Sequence, residues 1–146
     1  MVPIQKITHI LGLDHLTQGD GLYSMTGLRK ILEKGLPKES SLHVLSFLFE
    51  GVKESKNHIN DLIPQADYNR RKKKLNFSES ERVERLARVL ATASFVWEND
   101  TISVRQFMLS PNALLNNETP YKVARSEIGA RQVEDLLWSI YYGLPS

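Results

Sequence analysis

The sequence predicts an all-α protein built from about eight short helices. Three observations support this prediction. Apolar residues recur three and four positions apart in several segments, for example Val83, Leu86 and Leu90. Residues that start and stop helices, such as Thr119 and Gly143, flank those segments. No segment shows the convincing period-two alternation of a strand that is buried on one face.

The composition is that of a globular protein and excludes several chemistries. Of the 146 residues, 41% are hydrophobic, 25% are charged and none is cysteine, so disulfides and thiolate chemistry are excluded. No apolar run reaches the ~18 residues of a membrane span, and Met1 to Lys6 lacks the pattern of a secretory signal. We therefore expect a cytoplasmic protein. The net charge of +2 does not by itself indicate nucleic-acid binding.

The first half of the chain predicts short helices separated by turns. Residues 17–21, which contain two glycines, read as a loop. Helical spacing predicts helices at residues 25–32 and 37–51, with Pro37 in the first turn of the second. Ser55 is a candidate N-cap for a helix carrying Ile59 and Leu62, and Pro64 is expected to start a helix that runs through Lys73.

The second half contains the most clearly specified helices. Ser78 and Glu81 form a capping-box signature ahead of an apolar stripe, which predicts a helix over about residues 79–98. A short helix is predicted over 101–109. Thr119 is the predicted cap of a helix that begins at Pro120. The final predicted helix covers 129–142, and Gly143 is the expected terminator.

A run of five basic residues, 70–74, follows a segment that suits a recognition helix. At ~100° per residue, the helix places Gln65, Ala66, Asn69, Arg70 and Lys73 on one arc, with Tyr68 opposite as a core anchor. Asn, Gln and Arg can read bases in a major groove, while lysines meet phosphates. The alternative is a solvated helix end whose cations stabilise the helix dipole. The candidate DNA-binding residues are Gln65, Ala66, Asn69, Arg70, Arg71, Lys72, Lys73 and Lys74.

No catalytic or metal-binding pattern is present in the sequence. His9, His15, His43 and His58 lack metal-ligand spacing, and no glycine-rich phosphate loop or nucleophile elbow occurs. A carboxylate pair such as Glu127 and Glu134 more often forms surface ion pairs than an active site. We expect no enzymatic activity, no cofactor and no metal.

Three stretches of the chain are specific when they are taken together in this order and spacing. The first runs from Ile63-Pro64 to Arg70-Arg71. The second is Glu79-Ser80-Glu81-Arg82-Val83 with Leu86-Ala87-Arg88-Val89. The third comprises Ser110-Pro111-Asn112, Thr119-Pro120, Glu127-Ile128-Gly129-Ala130, Val133-Glu134, Leu136-Leu137 and the end of the chain from Ile140. Together they resemble a known family, the Xre/MbcA/ParS antitoxins, and in particular the Xre antitoxins of pairs with RES-domain toxins; the first stretch is similar to the family's helix-turn-helix.

The resemblance implies three segments and two activities. Residues 1–34 would be an N-terminal segment and a candidate for dimerisation, 35–97 an Xre-like helix-turn-helix domain, and 98–146 a toxin-binding domain. The protein would neutralise a RES-domain toxin, which degrades NAD, and would bind its operon promoter as a homodimeric repressor. The alternatives are a stand-alone helix-turn-helix regulator whose C-terminal domain only dimerises, and a small helical enzyme or enzyme subunit.

The resemblance also implies how the toxin would be inhibited. In the family, the C-terminal end of the antitoxin reaches the active-site cleft of the toxin. Aromatic side chains fill a nucleotide-sized pocket at low entropic cost, although ordinary packing of a terminal helix would also explain two tyrosines. The toxin-binding residues so implied are Glu127, Arg131, Glu134, Trp138, Tyr141, Tyr142, Gly143, Leu144, Pro145 and Ser146.

Overall fold

The computed structural model describes residues 4–14 and 24–143, and in these residues the protein is all-α, as the sequence predicts. They contain ten α-helices, one 3₁₀ turn at Ala113–Leu115 and no strand. The α-helices are α1 (Ile4–Ile10), α2 (Met25–Lys34), α3 (Ser40–Ser46), α4 (Val52–Asn57), α5 (Ile59–Leu62), α6 (Gln65–Arg70), α7 (Phe77–Val96), α8 (Thr101–Leu109), α9 (Pro120–Val123) and α10 (Glu127–Tyr142).

The long helix α7 lies at the centre of the fold. It packs against α10 most extensively and also against α1, α2, α3, α5 and α8. Buried side chains along one face of α7, including Val83 and Leu90, meet buried residues from the rest of the chain. This single hydrophobic cluster includes Ile10, Leu45 and Leu137, so all three predicted segments contribute to it. The division of the chain into functional domains stays a prediction.

The capping box of α7 lies two residues earlier than predicted. The Asn76 side chain accepts a hydrogen bond from the Glu79 N–H, and the Glu79 carboxylate accepts one from the Asn76 N–H. The assignment to Ser78 and Glu81 is therefore wrong, because asparagine caps a helix as well as serine does and Phe77 enters the first turn. The predicted helix of 79–98 is displaced accordingly, to Phe77–Val96.

The predicted helix ends in the C-terminal third are largely confirmed. The α8 helix covers residues 101–109, capped by Asp100. Thr119 Oγ1 accepts from the Lys122 N–H, with Pro120 as the first helical residue. The α10 helix begins at Glu127, two residues earlier than predicted, and ends at Gly143, whose φ of 64° is left-handed.

Three predictions in the first half are wrong. The helix predicted over 37–51 is confined to Ser40–Ser46, because the chain turns before Gly51, which has a φ of 86°. Ser55 lies inside α4, where its hydroxyl donates to the Phe49 carbonyl, and is not an N-cap. The helix predicted through Lys73 ends at Arg70. Lys73 therefore does not continue the arc of α6.

The N-terminal helix α1 is absent from the predictions. Its buried side chains, Ile7 and Ile10, are only three positions apart in a short segment. Seven residues give too few turns for the periodicity to stand out. The loop predicted at residues 17–21 lies outside the described residues.

Two backbone segments that are distant in sequence, residues 36–38 and 73–75, pair just after the end of α6. The Lys38 N–H donates to the Lys73 carbonyl at 2.9 Å, and the Leu75 N–H donates to the Leu36 carbonyl at 2.9 Å. Gly35, with a φ of 96°, makes this approach feasible: a Cβ there would overlap the Leu75 carbonyl oxygen. The end of α2 is thereby held beside residues 73–75.

Candidate functional site

The helix α6 presents a polar face to solvent. Gln65, Ala66, Asn69 and Arg70 are all exposed. The Gln65 amide donates to the Asn69 side chain at 3.1 Å, and Arg70 forms an ion pair with Asp67 on the same helix. Tyr68 is half-buried against the core, as predicted, and the Lys38 Nζ lies 4.3 Å from its ring centroid. The polar face is therefore supported from behind by an aromatic anchor.

The four basic residues that follow α6, Arg71 to Lys74, separate into two groups. Lys72, Lys73 and Lys74 are exposed. The Arg71 side chain instead turns inward and holds Glu79 through Nε at 2.8 Å and Nη2 at 3.1 Å. This bidentate pair joins the basic residues to the first turn of α7.

The Glu79 carboxylate is only 2% exposed and keeps its negative charge. Burial alone would raise the pKa of Glu79, but hydrogen bonds from Arg71 and from the Asn76 backbone outweigh it and lower the pKa. Arg71 is thus needed to keep a buried carboxylate paired. Arg71, a predicted DNA-binding residue, therefore already has an intramolecular partner.

In the middle of α7, an arginine network joins α7 to α10. The network consists of Arg85 and Arg88 on α7 with Glu84, Glu127 and Glu134. Arg88 Nε lies 2.8 Å from Glu134, and Arg88 Nη2 lies 3.1 Å from Glu127. Two predicted toxin-binding carboxylates therefore already have intramolecular partners. Arg131 remains exposed, with its Nε 4.0 Å from Glu127.

The pKa values of two carboxylates in the arginine network, Glu84 and Glu127, are shifted in opposite directions. Burial of Glu84 raises its pKa, and Arg88 only partly offsets that effect. Burial would also raise the pKa of Glu127, but the charges of Arg88 and Arg85 lower it. Glu127 contacts both arginines, which explains why its pKa is lowered while that of Glu84 is raised.

Four aromatic rings gather where α10 passes the end of α7. This aromatic cluster consists of Phe95, Trp138, Tyr141 and Tyr142. The Phe95 ring centroid lies 5.6 Å from that of Trp138 and 5.1 Å from that of Tyr141, and the two tyrosine rings are 5.0 Å apart. Tyr142 is 66% exposed and Phe95 41% exposed. Such separations are typical of favourable ring contacts, and the exposed area is suited to a protein partner.

Phe95 is absent from the predicted site residues. It lies on α7, outside the apolar stripe of that helix that faces the hydrophobic core. An apolar ring off the buried stripe near a helix end is the signal that could have identified it. An open groove of about 400 Å³ adjoins Phe95 and Tyr141 and is bordered by Lys6 and Glu98. Leu144, Pro145 and Ser146 lie outside the described residues.

A carboxylate, Asp61, connects the two halves of the chain. It accepts a hydrogen bond from the Tyr121 hydroxyl at 2.8 Å and contacts His58 at 3.0 Å and Arg125 at 3.4 Å. Burial, followed by the hydrogen bond to Asp61, raises the pKa of the Tyr121 phenol well above its ordinary range. Asp61 thereby joins α5, which precedes the polar helix α6, to α9.

The described residues hold neither a metal-binding cluster nor a membrane helix. Among residues 4–14 and 24–143, no group of three His, Cys, Asp or Glu side chains is placed to hold a metal ion. Within the same ranges no helix has the length and apolar character to cross a membrane.

Comparison with known proteins bears on the C-terminal third. Residues 92–143 match the family model of the antitoxin Xre/MbcA/ParS C-terminal toxin-binding domain. The match begins inside α7 and ends at Gly143, so it contains the whole aromatic cluster. No curated protein matches the chain. The family match supports the role of an antitoxin in a toxin–antitoxin system, with a toxin as protein partner.

Proposed function

We propose that the protein is an antitoxin that neutralises a RES-domain, NAD-degrading toxin by placing its C-terminal end in the active site of the toxin. The observation that carries this proposal is the position of the aromatic cluster. It lies within the residues that match the toxin-binding family and at the last turn of α10. Gly143, in the left-handed region, redirects the chain away from the helix axis.

The described part of the C-terminal region supports a division of labour. The arginine network fixes α10 against α7, so the helix is a rigid platform for the exposed rings of Tyr141 and Tyr142. Rigid aromatic side chains bind with little loss of conformational entropy. In this proposal the platform docks on the toxin, and residues 141–146 occlude its cleft.

The test is protection of cellular NAD. The full chain is co-expressed with a RES-domain toxin, and cellular NAD and co-purification are measured. A chain ending at Ile140 is expected to lose protection, and Y141A/Y142A is expected to weaken it. The matched control is I102A/L114A, because Ile102 and Leu114 are exposed, lie within the same family match and are outside the cluster.

Each result assigns the mechanism differently. Retained binding without protection supports occlusion by the tail. Full protection by the truncated chain means that another surface inhibits the toxin. If the full chain neither binds nor protects, the toxin-binding proposal fails, and the alternative of a stand-alone regulator gains support.

We also propose that the protein binds its operon promoter as a homodimer. The exposed polar face of α6 supports this, because Gln65, Asn69 and Arg70 can all reach base edges from one side of a helix. A homodimer would match the two-fold symmetry of a palindromic operator. Sedimentation of the free chain and of its promoter complex tests the stoichiometry; a complex containing a single copy would contradict the dimer.

A further inference from the structure

We infer that two lysines of α2, Lys30 and Lys34, extend the DNA-binding surface beyond the basic residues that follow α6. The resulting lysine surface consists of Lys30, Lys34, Lys72, Lys73 and Lys74. Its proposed ligand is the phosphate backbone of duplex DNA. The inference rests on the proposed DNA binding and adds a part of the chain that lies far from α6 in sequence.

Backbone pairing brings the two groups of lysines together. Residues 36–38 pair with residues 73–75 through two hydrogen bonds of 2.9 Å. A Cβ at Gly35 would lie 3.5 Å from the Lys74 Cβ, so the stem of Lys74 lies beside the residue that follows Lys34. Lys30 and Lys34 are one helical turn apart and therefore share a face of α2.

The face of α2 that carries these lysines points away from the protein. The residues that line the groove between α2 and α7 include Met25, Leu28 and Leu32, whereas Lys30 and Lys34 are not among them. At ~100° per residue, Lys30 and Lys34 fall on the opposite side of the helix from that lining. Both side chains are exposed.

The charge of the lysine surface is uncompensated within the described part of the chain. None of its five lysines forms an ion pair there, while the neighbouring Glu33 is paired with Arg29 at 3.2 Å. Glu39 is exposed and close in sequence to the surface. Cations without carboxylate partners are free to displace counterions from phosphates.

Nucleic acid fits this surface better than a membrane does. Leu36 and Leu75, the apolar residues of the paired segments, are buried, and the exposed ring of Phe77 lines the groove between α2 and α7. An amphipathic helix on a membrane inserts exposed apolar side chains between lipids, whereas lysines alone are attracted only to the charge of anionic lipids. The lysine surface instead adjoins the polar helix α6, which supplies groups that can read bases.

The test is the salt dependence of DNA binding by the full chain. Fluorescence anisotropy with labelled promoter duplex is measured between about 50 and 200 mM salt. The logarithm of the affinity is expected to fall by about 0.9 per phosphate engaged for each tenfold rise in salt concentration. K30Q/K34Q is expected to bind more weakly at low salt and to give a slope shallower by about 1.8. The matched control K6Q/K122Q removes the same charge elsewhere and is expected to keep the slope of the unmodified chain. E39Q is expected to strengthen binding slightly.

The outcomes distinguish this inference from the proposed function. If the unmodified chain binds DNA and K30Q/K34Q gives the same slope, the inference is overturned and the α6 surface alone binds. If the unmodified chain does not bind, both the DNA-binding proposal and the inference fail. Loss of binding to phosphatidylserine vesicles in K30Q/K34Q, without a change in DNA binding, would assign the lysines to a membrane. Melting curves by circular dichroism check that each variant is folded.

Discussion

Gly35 and Gly51 both adopt a backbone conformation that favours glycine, but only Gly35 also allows a close approach of two backbone segments. Gly35 and Gly51 both have positive φ, but only Gly35 faces a backbone atom, the Leu75 carbonyl oxygen. G51A is expected to cost about 2 kcal/mol, because a φ of 86° with a ψ of 150° lies in a region that almost only glycine adopts. G35A is expected to cost about 3 kcal/mol or more, because the paired segments must also separate. Urea unfolding of both variants measures the difference; equal midpoints would show that the pairing adds no stability.

The raised pKa of the Tyr121 phenol predicts that the free energy of unfolding falls at alkaline pH. Its hydroxyl is held by Asp61 and its pKa is raised, so above pH ~10 the unfolded chain releases this proton while the folded chain keeps it. Stability is then lost as pH rises, by about 1.4 kcal/mol per pH unit. Y121F lacks this proton. The difference in stability between the two chains is therefore expected to shrink above pH ~10, as measured by urea unfolding from pH 7 to 11.

At neutral pH, the difference in stability between the unmodified chain and Y121F measures the contribution of the hydrogen bond between Tyr121 and Asp61. Y121F is expected to be less stable by about 1–2 kcal/mol, because Asp61 loses one donor in a partly buried site. A stability difference that does not change with pH would contradict a raised pKa for the Tyr121 phenol.

Residue chemistry limited what the sequence could reveal about the site. Trp138, Tyr141 and Tyr142 are predicted site residues because of the resemblance to the antitoxin family, since their position on a terminal helix alone favours ordinary packing. Phe95 is not among them, since its contact with Trp138 joins residues that are far apart in sequence. The inward turn of Arg71 was equally hidden, because a run of basic residues carries no sign of which member meets a buried carboxylate.

Among the elements, α7 depends on a pair that bridges it to the basic residues. R71Q is expected to lower the midpoint of urea unfolding, because Glu79 would lose its bidentate partner and keep only the hydrogen bond from the Asn76 N–H. R70Q serves as the matched control. Arg70 is 67% exposed and pairs with Asp67 on the surface, so its loss is expected to cost less than about 0.5 kcal/mol.

For DNA affinity, R70Q is expected to have the larger effect of the two variants, the reverse of their order for stability. R70Q should weaken promoter binding with little effect on unfolding, whereas R71Q should mainly lower the unfolding midpoint in urea. If R71Q weakens DNA binding more than R70Q while the stability is unchanged, Arg71 contacts phosphate and not Glu79 in solution.

Element boundaries were predictable where the cap was unambiguous. Thr119-Pro120 marks the start of α9, because the fixed φ of proline suits the first turn of a helix, and Gly143 marks the end of α10, because glycine adopts the left-handed conformation without strain. The start of α7 was misplaced because Asn76, Ser78 and their acidic neighbours offer two overlapping capping boxes. Only the structure shows which one forms. The helix predicted over 37–51 failed because the turn at Phe47 leaves no strong sequence signal before Gly51.

On the scale of the whole molecule, the described segments share one hydrophobic core. We therefore expect one cooperative unfolding transition, with the same midpoint by far-ultraviolet circular dichroism and by the fluorescence of Trp97 and Trp138. Two separate transitions would instead show that the predicted helix-turn-helix and toxin-binding regions fold independently.

The position of residue 92 inside α7 has a consequence for transplanting the toxin-binding region to another protein. An excised 92–143 fragment keeps α10 but loses Val83, Leu86 and Leu90, together with Arg85 and Arg88. It is expected to be largely unfolded by circular dichroism, whereas a 76–143 fragment retains the capped helix and should be markedly more helical. The segment that can be transplanted as a folded unit is therefore longer than residues 92–143, which match the family model.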